Sequence, residues 1–120
     1  MNIQIFGKTK CFDTKKAERF FKERHIKFQS IDLPSKGMSR RELESVIRGV
    51  GGIEKLVNPK DQDYALFQHV LPDAQFEMLL ETPEMLLTPI VRNGQKATVG
   101  EASTLWKKWL EEESFAEGKR

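Results

Sequence analysis

Ile3-Gln4-Ile5-Phe6-Gly7-Lys8-Thr9-Lys10-Cys11-Phe12-Asp13-Thr14-Lys15-Lys16-Ala17 is the stretch on which the fold turns. From Asn2 to Phe6 polar and apolar residues alternate, with Ile3 and Ile5 on one side, the period of a strand. Gly7 punctuates it. From Asp13 or Thr14 to Arg24 the period changes, and Thr14, Ala17, Phe20 and Phe21 share one helical face opposite lysines and glutamates. Lys27 to Leu33 returns to strand-like residues, with Phe28 and Ile31 as the expected core contacts. A strand, a loop carrying Cys11, a helix and a strand make a β-α-β unit, whose crossover makes the two strands parallel.

Downstream, Pro34 to Met38 reads as a loop, and Ser39-Arg40-Arg41-Glu42 has the form of a capping box. Leu43, Val46, Ile47 and Val50 follow at helical spacing, and Gly49, Gly51 and Gly52 end that helix. The glycines follow a helix rather than a strand and lack a lysine-serine sequel, so they cap rather than cradle phosphate. Residues 53 to 70 predict short helical pieces packed through Leu56, Ala65, Leu66 and Phe67, and a helix from Pro72 to Glu81 closes at Thr82-Pro83. Ile90 to Arg92, Asn93-Gly94, and Gln95 to Val99 read as a hairpin with Asn-Gly in the turn. A last helix carries Leu105, Trp106, Trp109 and Leu110 on its core side before a polar tail.

This order, β-α-β, a helical middle, then β-β-α, is the layout of an α/β, thioredoxin-like (glutaredoxin-type) domain. It predicts a four-stranded mixed sheet flanked by helices, with a helical insertion between the two halves. Residues 1–112 are expected to form the single domain and residues 113–120 a polar C-terminal tail that frays.

With 120 residues the chain can bury a core without staples, and its one cysteine cannot form an internal disulfide. The start is too short and polar for a signal peptide and no run reaches the length of a membrane span, so a cytoplasmic protein with no membrane partner is expected. A net charge of +2 is far from the basic field of a nucleic-acid binder. Cys11, His25 and His69 lack metal-ligand spacing, so no metal is expected. His25 beside Arg24 suits a helix C-terminus, where a cation is favourable.

The chemistry concentrates at Cys11. A strand-to-helix junction offers unpaired N–H groups and the positive end of a helix dipole, and Lys8, Lys10, Lys15, Lys16 and Arg19 surround it against Asp13 and Glu18. Such surroundings lower a thiol pKa and make the thiolate the attacking species. Thr88-Pro89, just before a strand, stands where a thioredoxin-like fold places a cis-proline facing the active cysteine.

From Ile5 to Ala17 the chain resembles the opening motif of the arsenate reductase family, whose relatives include Spx-type regulators and YffB-type proteins. The likeness continues through Leu56-Val57-Asn58-Pro59-Lys60, Leu87-Thr88-Pro89-Ile90-Val91 and Ala97-Thr98-Val99-Gly100. It implies attack on arsenate by Cys11, with glutathione and glutaredoxin as reductants. In that family three arginines hold the oxyanion, and their places carry Lys60, Thr88 and Glu101 here. Lys60 keeps the charge without the bidentate fork, Thr88 keeps a hydroxyl, and Glu101 would repel an oxyanion. Arg92 is a further charge close by in sequence. The Cys-x-x-Cys switch of Spx-type regulators is absent, Thr14 standing at the second position, while Gly52 is similar to the glycine at which those regulators meet the RNA polymerase α-subunit.

Two functions fit these residues. One is a monothiol oxidoreductase, in which Cys11 is the nucleophile and Thr14 and the helix start stabilise it. Lys8, Lys10, Lys15, Lys60, Thr88 and Arg92 would then face an anion, and Pro89 would form the opposite wall. It would act as a monomer without bound cofactor, with glutathione as co-substrate or a glutaredoxin- or thioredoxin-like protein as partner. The alternative is an Spx-like regulator that binds the RNA polymerase α-subunit through the surface at Gly52.

Overall fold

The computed structural model describes residues 1–118. Strands β1 (Ile3–Gly7), β2 (Phe28–Asp32), β3 (Ile90–Asn93) and β4 (Lys96–Val99) form one sheet in the order β2-β1-β3-β4. β1 and β2 are parallel, joined by helix α1 (Phe12–Glu23); β3 lies antiparallel to both β1 and β4. This is the expected mixed sheet. Between β2 and β3 lie a single turn α2 (Leu33–Lys36), α3 (Arg40–Val50), α4 (Tyr64–His69) and α5 (Pro72–Glu81), and after β4 comes α6 (Ser103–Gly118).

Side chains alternate across the sheet and divide the core in two. Ile3, Ile5 and Val91 meet Ala17, Phe20 and Phe21 of α1 and Trp106 and Trp109 of α6. Phe20 and Phe21 lie 5.3 and 5.7 Å, centroid to centroid, from Trp106, whose indole N–H donates to Thr98 Oγ1 at 2.8 Å. That bond removes the cost of burying the indole nitrogen. Phe6, Ile90 and Ala97 face the other way, onto Leu43 and Val46 of α3 and onto Phe67 and Leu79 of the insertion. Burying each such aliphatic or phenyl group contributes about 1.5–3 kcal/mol.

Six details depart from the sequence expectations, the first being that Ala65 and Leu66 are exposed and leave Leu56 and Phe67 to do the packing there. The segment after β2 is not all loop: Asp32 accepts from Ser35 N–H and Pro34 sits at the helix start, which closes the turn α2. The hairpin pairs Asn93 with Lys96, so its two turn residues are Gly94 and Gln95. Only Gly94 has positive φ (62°), the demand of a turn with glycine first rather than of Asn-Gly. Leu105 is exposed, because α6 turns Trp106 and Trp109 to the sheet. Phe28 and Ile31 are only half buried, since β2 is a sheet edge. Finally, α6 runs on through Gly118, so the segment expected as a frayed tail is helical there; positions 119 and 120 lie outside the described residues.

Candidate active site

The site is assembled where β1 hands over to α1. Gly7 ends the strand, and a Cβ there would overlap the Thr14 side chain, so glycine lets the first turn of α1 lie against the strand end. Cys11 N–H donates to Lys8 C=O at 3.1 Å, closing a turn, and Cys11 then takes the N-cap position with extended backbone (φ −90°, ψ 118°). Thr14 is buried and its hydroxyl accepts from Lys8 N–H at 3.3 Å, which leaves the hydroxyl proton free to turn toward sulfur.

The second wall comes from a segment 77 residues downstream. Leu86 bridges to Val57, and Leu87 N–H donates to Leu56 C=O at 2.7 Å, which anchors the insertion to the segment leading into the cis Thr88-Pro89 peptide. Pro89 C=O accepts from Gly100 N–H at 2.8 Å. The Cys11 thiol donates to Thr88 C=O at 3.6 Å, so sulfur and Thr88 face each other. The expected juxtaposition of Cys11 with the Thr88-Pro89 segment is present.

Cys11 is half buried, and burial alone pushes its thiol up. The hydroxyls of Thr14 and Thr88 and the amides of Thr14 and Asp13 outweigh that, and the net direction is down from the ordinary thiol value. As a thiol, sulfur makes no capping bond to α1; as a thiolate, it is met by the free N–H groups of the first turn. The stabilisers are neutral dipoles. Among the described residues no lysine contributes to the lowering, contrary to the role that the sequence suggests for the basic cluster.

The positions of those charges explain why. Lys8 Nζ donates to the carbonyls of Glu84 and Leu86 at 3.1 and 3.2 Å, away from the anion-facing place expected of it. Lys8 instead ties the β1–α1 turn to the chain that carries Thr88. Lys10 and Lys15 are exposed, as is Lys60, whose N–H donates to Asn58 Oδ1. Arg92 is not at the site: it lies on the α3 face, where its Nη1 donates to Gln4 Oε1 at 2.8 Å and its Nε to Ser45 Oγ at 3.3 Å. Glu101 sits before α6, and hydrogen bonds from Ser103, then the charges of Lys16 and Lys107, hold its carboxyl below the usual range. Gly52 closes α3: its N–H and that of Gly51 both donate to Ile47 C=O, and its φ of 149° is one that side chains rarely adopt, while a Cβ would also displace the Glu54 carboxylate.

Gly7, Lys8 as a tether, and the amide of Asp13 are contributors that sequence reasoning missed. Glycine at a strand end was a visible signal; the carbonyl partners of Lys8 were not. A cleft of about 330 Å³ opens beside the site, lined by Thr14, Lys15 and Glu18 of α1 and by Ser30 and Asp32 of β2.

No family model matches the chain. An ArsC family related protein from Bacteroides fragilis superposes with a TM-score of 0.78 over 90% of this chain and 97% of that one, at 18% identity. The arsenate reductase of Vibrio cholerae gives 0.75 over 83% and 90%, at 22% identity. The fold is the thioredoxin-like fold of the arsenate reductase-related proteins. Among curated sequences, the global transcriptional regulator Spx 2 of Oceanobacillus iheyensis is 24% identical over 105 residues, 83% of this chain and 77% of that protein. The chain is thus similar in fold to a protein named for an enzyme activity and in sequence to one named for regulation. Among the described residues no helix is long and apolar enough to cross a membrane.

Proposed function

We propose that this chain is a monothiol oxidoreductase of the arsenate reductase-like type, with Cys11 as nucleophile and glutathione or a glutaredoxin-like protein as reductant. The observation that carries it is the Cys11 sulfur at the open N-terminus of α1, facing Thr88 and supported there by the Thr14 and Thr88 hydroxyls. The thiolate pair attacks one sulfur of a disulfide, the S–S bond breaks, and the departing thiolate takes a proton from water. The chain has one cysteine, so the mixed disulfide is resolved by a second thiol from outside.

Neutral donors around sulfur suit a neutral sulfur electrophile better than an oxyanion. The Thr88 carbonyl turns its negative end to the reacting atom, and the charge of Lys8 is spent on other carbonyls. Glutathione-coupled turnover tests this, with bis(2-hydroxyethyl) disulfide and arsenate compared for the parent and Cys11→Ser. Turnover of the disulfide, lost in the variant, is expected. An inactive parent, or an active variant, overturns the proposal.

A second function, binding of the RNA polymerase α-subunit, is favoured by the likeness to Spx 2. Gly52 supports it less than the sequence suggests, since helix termination alone accounts for a glycine there. Titration of purified α-subunit into the chain, read by calorimetry, tests it; no heat of binding rejects it.

A further inference from the structure

The residue after Cys11 is a phenylalanine that the fold leaves in water: Phe12 is 81% exposed. Phe12 begins α1, and Lys15, Lys16, Arg19 and Lys22 follow on the same side at helical spacing, every one of them exposed. Of these charges, Lys16 alone has a carboxylate within 4 Å among the described residues, Asp13 at 3.8 Å; the exposed Glu23 lies at the far end of the same face, one acid against four cations. The face of α1 that starts at the sulfur is therefore an apolar tip followed by a basic stripe.

A bare phenyl ring beside a nucleophile is neither core nor cap, and an inorganic oxyanion or a free hydroxyethyl disulfide has nothing to lay against it. We infer that Phe12 and the stripe behind it select protein disulfides whose reactive cysteine is flanked by an apolar residue and then by acidic residues. The apolar flank covers Phe12, and charge complementarity with Lys15, Arg19 and Lys22 fixes direction. This rests on the oxidoreductase function of Cys11. The Cys11 thiolate bonds to one peptide sulfur and expels the other peptide as a thiol. One glutathione thiolate displaces the second peptide from Cys11, and a second frees Cys11 as thiolate with glutathione disulfide as the oxidised product.

Three synthetic octapeptide disulfides test it: each carries a central cysteine, flanked by Leu and Glu residues, by Leu and Lys residues, or by Gly and Ser alone. Glutathione-coupled kcat/KM for each is divided by that for bis(2-hydroxyethyl) disulfide with the same enzyme preparation. The parent is expected to favour the Leu–Glu peptide over the Gly–Ser peptide by about tenfold. Phe12→Ala should bring that ratio to within about twofold and Phe12→Leu should restore most of it. Lys15→Glu combined with Arg19→Glu should turn the preference toward the Leu–Lys peptide. A parent that reduces the small disulfide without discriminating among the peptides overturns this inference and leaves the oxidoreductase function standing. A preference that survives Phe12→Ala overturns it as well. A parent inactive on every disulfide overturns both.

Discussion

The starts of α1 and α3 are two solutions to one problem in the same chain. Each helix begins with backbone N–H groups that have no partner within the helix. At α3 two of them are met reciprocally: Ser39 Oγ accepts from Glu42 N–H at 3.1 Å and Glu42 Oε1 accepts from Ser39 N–H at 2.9 Å. At α1 the N-cap is Cys11, whose side chain makes no capping bond, and the position three residues on is Thr14 rather than a glutamate. The first arrangement stabilises a helix. The second leaves the same donors waiting for an anion, and the anion is the ionised sulfur.

The largest effect should come from making α1 resemble α3. Cys11→Ser replaces a poor cap with a good one, and is expected to stabilise the chain by ~1 kcal/mol while abolishing thiol turnover. Urea unfolding of parent and variant measures the first part. The pH dependence of the difference carries its own sign. Folding lowers the Cys11 pKa, so between the lowered value and that of a free thiol the unfolded chain holds more protons than the folded one. The parent should gain on the serine variant as pH rises through that window, and lose the gain as pH falls through the lowered value. A difference that is flat with pH would mean that the helix start does not favour the thiolate.

Thr14→Val comes next. It removes a hydroxyl that supports the sulfur and leaves Lys8 N–H without its acceptor. Alkylation of Cys11 by iodoacetamide at neutral pH should slow by about tenfold. Stability should fall by ~1 kcal/mol. Equal alkylation rates in parent and variant would remove Thr14 from the account. The smallest effect on chemistry belongs to Ser39→Ala, which should cost ~1 kcal/mol of stability and leave the alkylation rate of Cys11 unchanged, since the α3 cap touches nothing at the site.

The same comparison shows what a sequence can and cannot disclose. The α3 cap is legible because Ser39 and Glu42 lie within one turn and their spacing is the motif. The apolar face of α1 is legible for the same reason, and Thr14, Ala17, Phe20 and Phe21 are all buried. The Asn93-Gly94 turn was misplaced by one residue because Gly94 satisfies either register, and strand pairing across the hairpin decides between them. The sequence presents Lys8 and Arg92 as charges facing a ligand, but their acceptors, Glu84 and Leu86 for one, Gln4 and Ser45 for the other, lie 47 to 88 residues away. Basic residues near a cysteine announce charge but not direction. The meeting of Cys11 with Thr88 is legible only through the thioredoxin-like order of elements, because no local pattern links residues so far apart.

Position 7 is where the chain achieves most by leaving something out. With no side chain on Gly7, the start of α1 rests directly on the end of the central strand β1, and the sulfur inherits its place from the sheet instead of from a wandering loop. Adding even a methyl group there would wedge helix and strand apart, and the nucleophile would lose its registration against the opposite wall although every reactive atom was still present.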